Sequence, residues 1–450
     1  MKRWIWLSWC MLLLVACGRP VTEGVVEVAI TPVAAAATAT TTPTPSPVRV
    51  ATKTARPTWT IPPPAPSPPS VTPTKDLRFT PVPPPPLPDL TLSTIHMVTA
   101  TEGWGTDRDH GIILRTMDGG IHWRNVSPPG ASPAPPPSAF FVDSTEAWAA
   151  VAPAITSALE EYSPTDVRIW HTKDGGQNWN ALGQLHSPVG IAGGLQFIDD
   201  QHGWLSQSLG AAMGSEGIAI WATEDGGLHW MQRSVTSFTP GESTPGAMPV
   251  GCDKAGPVFL DQGYGWITGS CAVGLFFYGT HDGGRTWQEA SQVFHVQFDP
   301  TNPESDVSYL QFSSRQDGVL LMHSYSNNRE HQRLYLTYDG GASWQPQVVP
   351  DTDYLGRPFF LNGQTGWVIG GKMKDTWPVS ADLYRTDDGG VSWRTIPLDG
   401  NWNGADIDFV SSQAGWLLQG YSGPQQRDML TRTLDGGQSW QAITPQLVHE

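Results

Sequence analysis

Charge is what this chain has least of. Charged residues fill 15% of its 450 positions, well under the usual quarter. Basic residues are the scarcer sign, 26 against 42 acidic, for a net charge of −16. That balance excludes nucleic acid as the main partner, because phosphate binding needs a basic footprint. Beyond the N-terminal segment no apolar stretch approaches 18 residues, which excludes a multi-span membrane protein. Collagen and coiled-coil periodicities are missing too. No G-x-S-x-G, H-E-x-x-H or P-loop occurs, and no cofactor motif was found. The excesses are 48 Gly, 41 Pro and 21 Trp. Length alone suggests about three domains, but the Gly and Trp content leans toward one large all-β fold.

Lys2 and Arg3 precede an apolar run from Trp4 to Val15, the pattern of a signal peptide too short to span a bilayer. Leu14-Val15-Ala16-Cys17 resembles the bacterial lipobox. The resemblance implies cleavage after residue 16 and lipidation of Cys17, hence a cell-envelope, extracytoplasmic protein anchored by lipid rather than by a spanning helix. An ordinary secretory signal is the alternative. Residues 17–90 then read as a Pro/Thr-rich linker, with strings such as TATTTPTPSP and PVPPPPLP. Such a segment cannot bury enough apolar surface to offset its ordering entropy, and its prolines favour an extended stalk. The first 90 residues take 8 of the 26 basic and 4 of the 42 acidic residues. Residues 91–450 are left with 18 and 38, a formal charge of −20. An anionic lipid surface would repel that head, and the stalk holds it clear.

Two motifs recur through residues 91–450. The string T-x-D-G-G-x-x-W occurs seven times, with aspartates Asp118, Asp174, Asp225, Asp282, Asp339, Asp388 and Asp435. A second register, F-x6-W, gives Phe141/Trp148, Phe197/Trp204, Phe259/Trp266, Phe360/Trp367 and Phe409/Trp416. Met97/Trp104 and Phe312/Val319 are altered copies. Gly precedes the Trp in most of them. A period near 51 residues suits four short strands per unit. The prediction is all-β: a seven-bladed β-propeller of four-stranded antiparallel blades behind a disordered stalk. The D-G-G turn closes the hairpin between the third and fourth strands, with Asp accepting backbone N–H groups and Gly supplying positive φ.

T-x-D-G-G-x-x-W matches the Asp-box, or BNR repeat. It is found in sialidases, sortilin-type receptors, plant-polysaccharide hydrolases and the photosystem II stability and assembly factor family. The stretch LYRTDDGGVSW at 383–393, the seven-fold count and the Gly-Trp strands resemble the last most. That resemblance implies a non-catalytic propeller that binds a protein partner, here an envelope or membrane protein complex. The family's basic binding surface is not matched by a head of −20, and the long stalk is extra. A sialidase would require three clamping arginines, a Tyr–Glu pair and an Asp acid/base. Its F-R-I-P-like motif has no match in Leu77-Arg78-Phe79-Thr80-Pro81. A sialidase-like glycoside hydrolase or carbohydrate-binding propeller is the alternative.

Strand order fixes where a site must lie. First–second and third–fourth turns share one end of the propeller, and their lengths are constant. Second–third loops and inter-blade connections share the other end and hold all the length variation, where function normally sits. The seven aspartates are therefore read as scaffold and not as metal ligands, and no metal site is expected. Cys252 and Cys271 fall at the variable end of blade 4, where an envelope compartment favours a disulfide; two free thiols are the alternative. With repeat copies set aside, Trp377 and Trp402 stay in variable loops of blades 6 and 7, with Tyr354 and Tyr421 near them. Exposed aromatics there suit sugar stacking or a protein hot spot, unless they pack on their own blades. Arg329, Arg333 and Arg357 also lie in variable loops without a signature. Glu160, Glu161, Asp299, Glu304 and Asp306 are carboxylates from which a glycosidase pair could be drawn.

Overall fold

The computed structural model describes residues 90–450, apart from 108, 134–135, 154–164, 188–190, 213, 272–274, 291–304, 327–328, 375–376, 379, 399–401, 403–404, 420–428 and 449–450. In several strands only the backbone is described. The signal segment, Cys17 and the Pro/Thr-rich linker lie outside these residues. No helix among the described residues is long and apolar enough to cross a membrane.

Seven antiparallel blades follow one another along the chain and form a propeller ring. Blade 1 consists of Leu92–Met97, Gly103–Asp107, Ile112–Thr116 and His122–Asn125. Blades 2 to 7 span 138–187, 191–236, 253–289, 305–347, 354–397 and 406–443. Blade 6 departs most from the pattern. Its first strand is broken into Tyr354–Leu355 and Phe359–Phe360, and a small hairpin pairs Met373–Lys374 with Trp377–Pro378. A last strand, Gln446–Val448, runs parallel to the outer strand of blade 1, with Leu447 opposite Trp123.

The Gly-Trp motif has a steric origin. In the first two strands of each blade the Phe position pairs with the residue before the Trp, as Phe259 does with Gly265. A Cβ on Gly265 would sit 2.6 Å from the Phe259 ring, and Gly203, Gly318, Gly366 and Gly415 are covered by their Phe rings in the same way. The ring lies across the glycine, so the neighbouring strand can carry no side chain there. Blade 2 has Ala147 at this place, and its Phe141 stacks on Trp104 of blade 1 at 5.0 Å.

Each Trp of a second strand reaches forward to the next blade. Trp148 stacks on Phe197 (4.2 Å), Trp204 on Phe259 (4.0 Å) and Trp367 on Phe409 (3.7 Å). The indole N–H often goes the same way. Trp148, Trp204, Trp266 and Trp416 donate to the carbonyls of Gly226, Gly283, Gly340 and Gly119 at 3.0–3.2 Å. The last of these joins blade 7 to blade 1. Meanwhile Phe197, Phe259, Phe312, Phe360 and Phe409 each meet the turn Trp of their own blade at a steep angle. Face-on and edge-on contacts are the two geometries that ring quadrupoles favour. All seven apolar clusters among the described residues combine residues of neighbouring blades, as Trp148 and Phe197 share one and Trp204 and Phe259 another.

Candidate functional site

The seven repeated turns occupy one end of the ring, and each uses its aspartate completely. In blade 7, Thr433 Oγ1 donates to Asp435 Oδ1 at 2.8 Å and accepts the Gly437 N–H at 2.9 Å. Asp435 Oδ1 also accepts the Ser439 N–H, and Oδ2 accepts the Ser439 hydroxyl at 2.6 Å. The residue after next beyond D-G-G plays the same part elsewhere, as Asn178 on Asp174, Ser343 on Asp339 and His229 on Asp225. Asp118, Asp282 and Asp388 are bonded likewise. The two glycines of every turn have φ between 71° and 98°, a region that L side chains avoid. The Ser439 hydroxyl, followed by its N–H, holds the Asp435 carboxyl down at about 2. These carboxylates are ionised, engaged and structural. No cluster of metal-ligating side chains exists among the described residues.

Along the channel, the first strands of blades 1, 5, 6 and 7 line a cavity of about 470 Å³. His96, Tyr309, Arg357, Asp406 and Asp408 are its ionisable groups. Arg357 Nη1 donates to Asp406 Oδ1 at 3.1 Å. Burial raises the Asp406 carboxyl, and Arg357 opposes the rise. Asp408 is 8% exposed and accepts the Met97 N–H at 2.5 Å. Burial outweighs that bond and pushes its carboxyl up to about 7. Burial also pushes the Tyr309 phenol up to about 12, with Asp406 and Asp408 adding to the rise against Arg357. Desolvation within the channel holds His96 below its ordinary value, although its side chain is exposed. This wall offers one arginine, two aspartates and a tyrosine. It has neither three arginines nor a Tyr–Glu pair.

Sequence reasoning did not single out Asp406 and Asp408 among 38 acids. A signal existed, however. With the seven first strands aligned on the Phe position, the preceding residue is His96, Phe140, Gln196, Val258, Gln311, Phe359 or Asp408. Three before it stand Thr94, Ser138, Gly194, Gly256, Tyr309, Arg357 and Asp406. Carboxylates occur at those positions in blade 7 alone.

At the opposite, variable end, Cys252 and Cys271 form a disulfide with a Cα–Cα distance of 4.5 Å. It joins the entry of the first strand of blade 4 to the end of the second. Beside it, the Lys254 ammonium donates to the carbonyls of Glu216, Gly251 and Cys252 at 2.8–3.1 Å and lies 4.9 Å from the Phe276 ring. Burial pushes this amine down to about 8.

The aromatic platform expected in blades 6 and 7 is corrected by burial. Trp402 is 6% exposed and packs with Trp367, Ala405 and Phe409. Tyr354 is 7% exposed, and its hydroxyl donates to the Ser380 carbonyl at 2.9 Å. Both rings serve the core of their blades, so neither shows a face for stacking. The Trp377 backbone belongs to the small hairpin, but its side chain, like Tyr421, lies outside the described residues. Glu160, Glu161, Asp299 and Glu304 lie outside them as well, as do the side chains of Asp306 and Arg329. Arg333 sits on the third strand of blade 5 opposite Met322, away from the cavity lining.

No known family profile matches this chain, and no curated protein does either. Solved structures do. A GH74 xyloglucanase from Xanthomonas campestris aligns with a TM-score of 0.50 at 14% identity, over 77% of this chain and 52% of its own. The chain thus spans about half the length of that enzyme. YCF48 bound to a D1 peptide aligns at 0.48 and 15% identity, over 77% of this chain and 92% of its own. YCF48 from Cyanidioschyzon merolae aligns at 0.46 and 19%, over 74% and 94%. The likeness is one of fold. Propellers host unrelated activities, so function has to be argued from the residues above.

Proposed function

We propose that this chain is a non-catalytic, lipid-tethered propeller that binds a protein partner in the cell envelope, similar to photosystem II assembly factors. The observation that carries the reading is the contrast between the two ends of the ring. One end holds seven near-identical turns whose carboxylates are consumed by their own backbone. The other holds connections of every length, braced by a disulfide and by the Lys254 contacts. A rigid scaffold that varies at one end suits recognition, and a head of −20 favours a partner with a basic surface. Crosslinking in intact cells tests this. Lys372 follows the second strand of blade 6 at the variable end and is half-exposed, while the more exposed Lys173 marks the turn end. The expected result is one recurrent partner crosslinked through Lys372 and not through Lys173. A recurrent partner on Lys173 alone would reject the assignment of ends.

One observation favours the glycoside hydrolase alternative. Glycosidases use a general acid whose carboxyl is raised toward neutrality together with a second carboxyl; Asp408 is raised to about 7, and Asp406 lines the same cavity. Under that reading the protein hydrolyses a polysaccharide, and Asp406→Asn abolishes the activity. A panel of soluble glycans left intact by the wild-type protein removes the alternative.

A further inference from the structure

Adjacent first strands meet along the channel through a recurring contact. The residue before the Phe position of one blade faces the backbone at the Phe position of the next. Between blades 3 and 4 this contact is an amide clasp. Gln196 Nε2 donates to the Phe259 carbonyl at 2.9 Å, and its Oε1 accepts the Phe259 N–H at 2.8 Å. Gln311 grips Phe360 between blades 5 and 6 in the same way, at 3.4 and 3.0 Å. A carboxamide fits because it presents a donor and an acceptor side by side, matching the C=O and N–H of one residue.

At the seam where blade 7 meets blade 1 the glutamine position is occupied by Asp408. Its Oδ2 accepts the Met97 N–H, which is the acceptor half of the same clasp. An ionised carboxylate has no donor for the other half, whereas a protonated one has a single O–H. We propose that Asp408 acts as a protonated carboxyl standing in for the glutamine amide, its O–H donating to the Met97 carbonyl, and that the closing seam loosens when this proton is lost.

The surroundings fit. Met97 and Asp408 are both buried, at 4% and 8% exposure, so an ionised carboxylate there is poorly solvated. The groups facing this point are Asp406 on the same strand, His96 beside Met97 on blade 1, Arg357 on blade 6 and Tyr309 on blade 5. Arg357 bonds Asp406 rather than Asp408. His96 is held below its ordinary value by desolvation. Burial therefore pushes Asp408 up to about 7 with no partner cation to oppose it. Two other contacts hold the seam without titrating in this range: the Trp416–Gly119 hydrogen bond and the strand Gln446–Val448 on blade 1. Loss of the proton thus weakens the closure without opening the ring outright. The device does not depend on what the variable end binds.

The sign of the pH dependence follows. A carboxyl whose folded pKa is raised keeps its proton in the native state while the unfolded chain has lost it. Its contribution is complete below about pH 4 and declines as pH rises toward about 7. Urea midpoints of the full chain and of Asp408→Asn, measured from pH 5 to pH 8, test this. The variant carries a permanent amide. It should come nearest the wild type at the acid end of this range and exceed it at pH 8, the gap growing by roughly tenfold in the folding equilibrium constant per pH unit below the folded pKa. A gap that is constant with pH, or a variant weaker than wild type at pH 8, overturns the proposal. If Asp408→Asn does not fold, hydrogen exchange of the wild type decides. Exchange at the Met97 amide should accelerate from pH 5 to pH 8 relative to the Phe259 amide, whose glutamine clasp cannot titrate. Equal acceleration at both amides overturns the proposal.

Discussion

The Thr433 hydroxyl donates to Asp435 and accepts from Gly437, and the same two bonds recur in the other six turns, as in Thr116 and Thr386. Thr433 is 1% exposed, so Thr433→Val keeps the shape while stranding the Gly437 N–H and one carboxylate lone pair. Leaving buried polar groups unpaired costs about 1–3 kcal/mol, and the expected result is a lower urea midpoint with an unchanged m-value. The turns also set the response to acid. Asp174, Asp388 and Asp435 are held below the ordinary carboxylate value, chiefly by hydrogen bonds from residues 178, 392 and 439. A depressed folded pKa contributes stability that is present above about pH 4 and lost as pH falls toward the folded value, about 2 for Asp435. Melting followed by circular dichroism should therefore show Tm falling between pH 4 and pH 2. This trend is opposite in sign to that of Asp408 and lies in a different window.

Within a blade, the contact between first and second strands depends on what the second strand omits. Gly265→Ala would place a Cβ 2.6 Å from the Phe259 ring. Phe259 is already held between Trp204 and Trp287, so it cannot move aside. Overpacking of this kind costs about 1–3 kcal/mol, and the expected observation is a lower thermal midpoint with the β spectrum retained. Blade 2 already carries a Cβ at this position, on Ala147 opposite Phe141, so Ala147→Gly should cost less. The repeat and its four strands were legible because T-x-D-G-G-x-x-W and F-x6-W keep their spacing in blade after blade. The direction of the aromatic contacts was not. Phe197 and Trp204 are near in sequence, yet Trp204 stacks on Phe259 of the following blade, a relation between copies that no single repeat displays. Trp402 misled for a related reason. It stands outside both motifs, and only the burial of its ring shows that it fills the space beside Trp367 and Phe409. Asp408 was hidden because its role is defined by Gln196 and Gln311, its counterparts in other blades.

For the molecule as a whole, attachment to a membrane depends on Cys17, which lies outside the described residues. If Cys17 carries the lipid, Cys17→Ser shifts the protein from the membrane fraction to the soluble fraction on cell fractionation. A variant that stays with the membrane rejects the tether. The ring itself has a further consequence, which begins with the forward reach of each tryptophan. Trp148, Trp204 and Trp367 complete their packing on residues that belong to the next blade, and Trp416 does so with the Gly119 carbonyl across the seam. A blade excised on its own would carry halves of two cores and the whole of neither. The unit that repeats in the sequence is thus not a unit that can fold, and blades could be gained or lost in descent only where a neighbour already supplied the missing half.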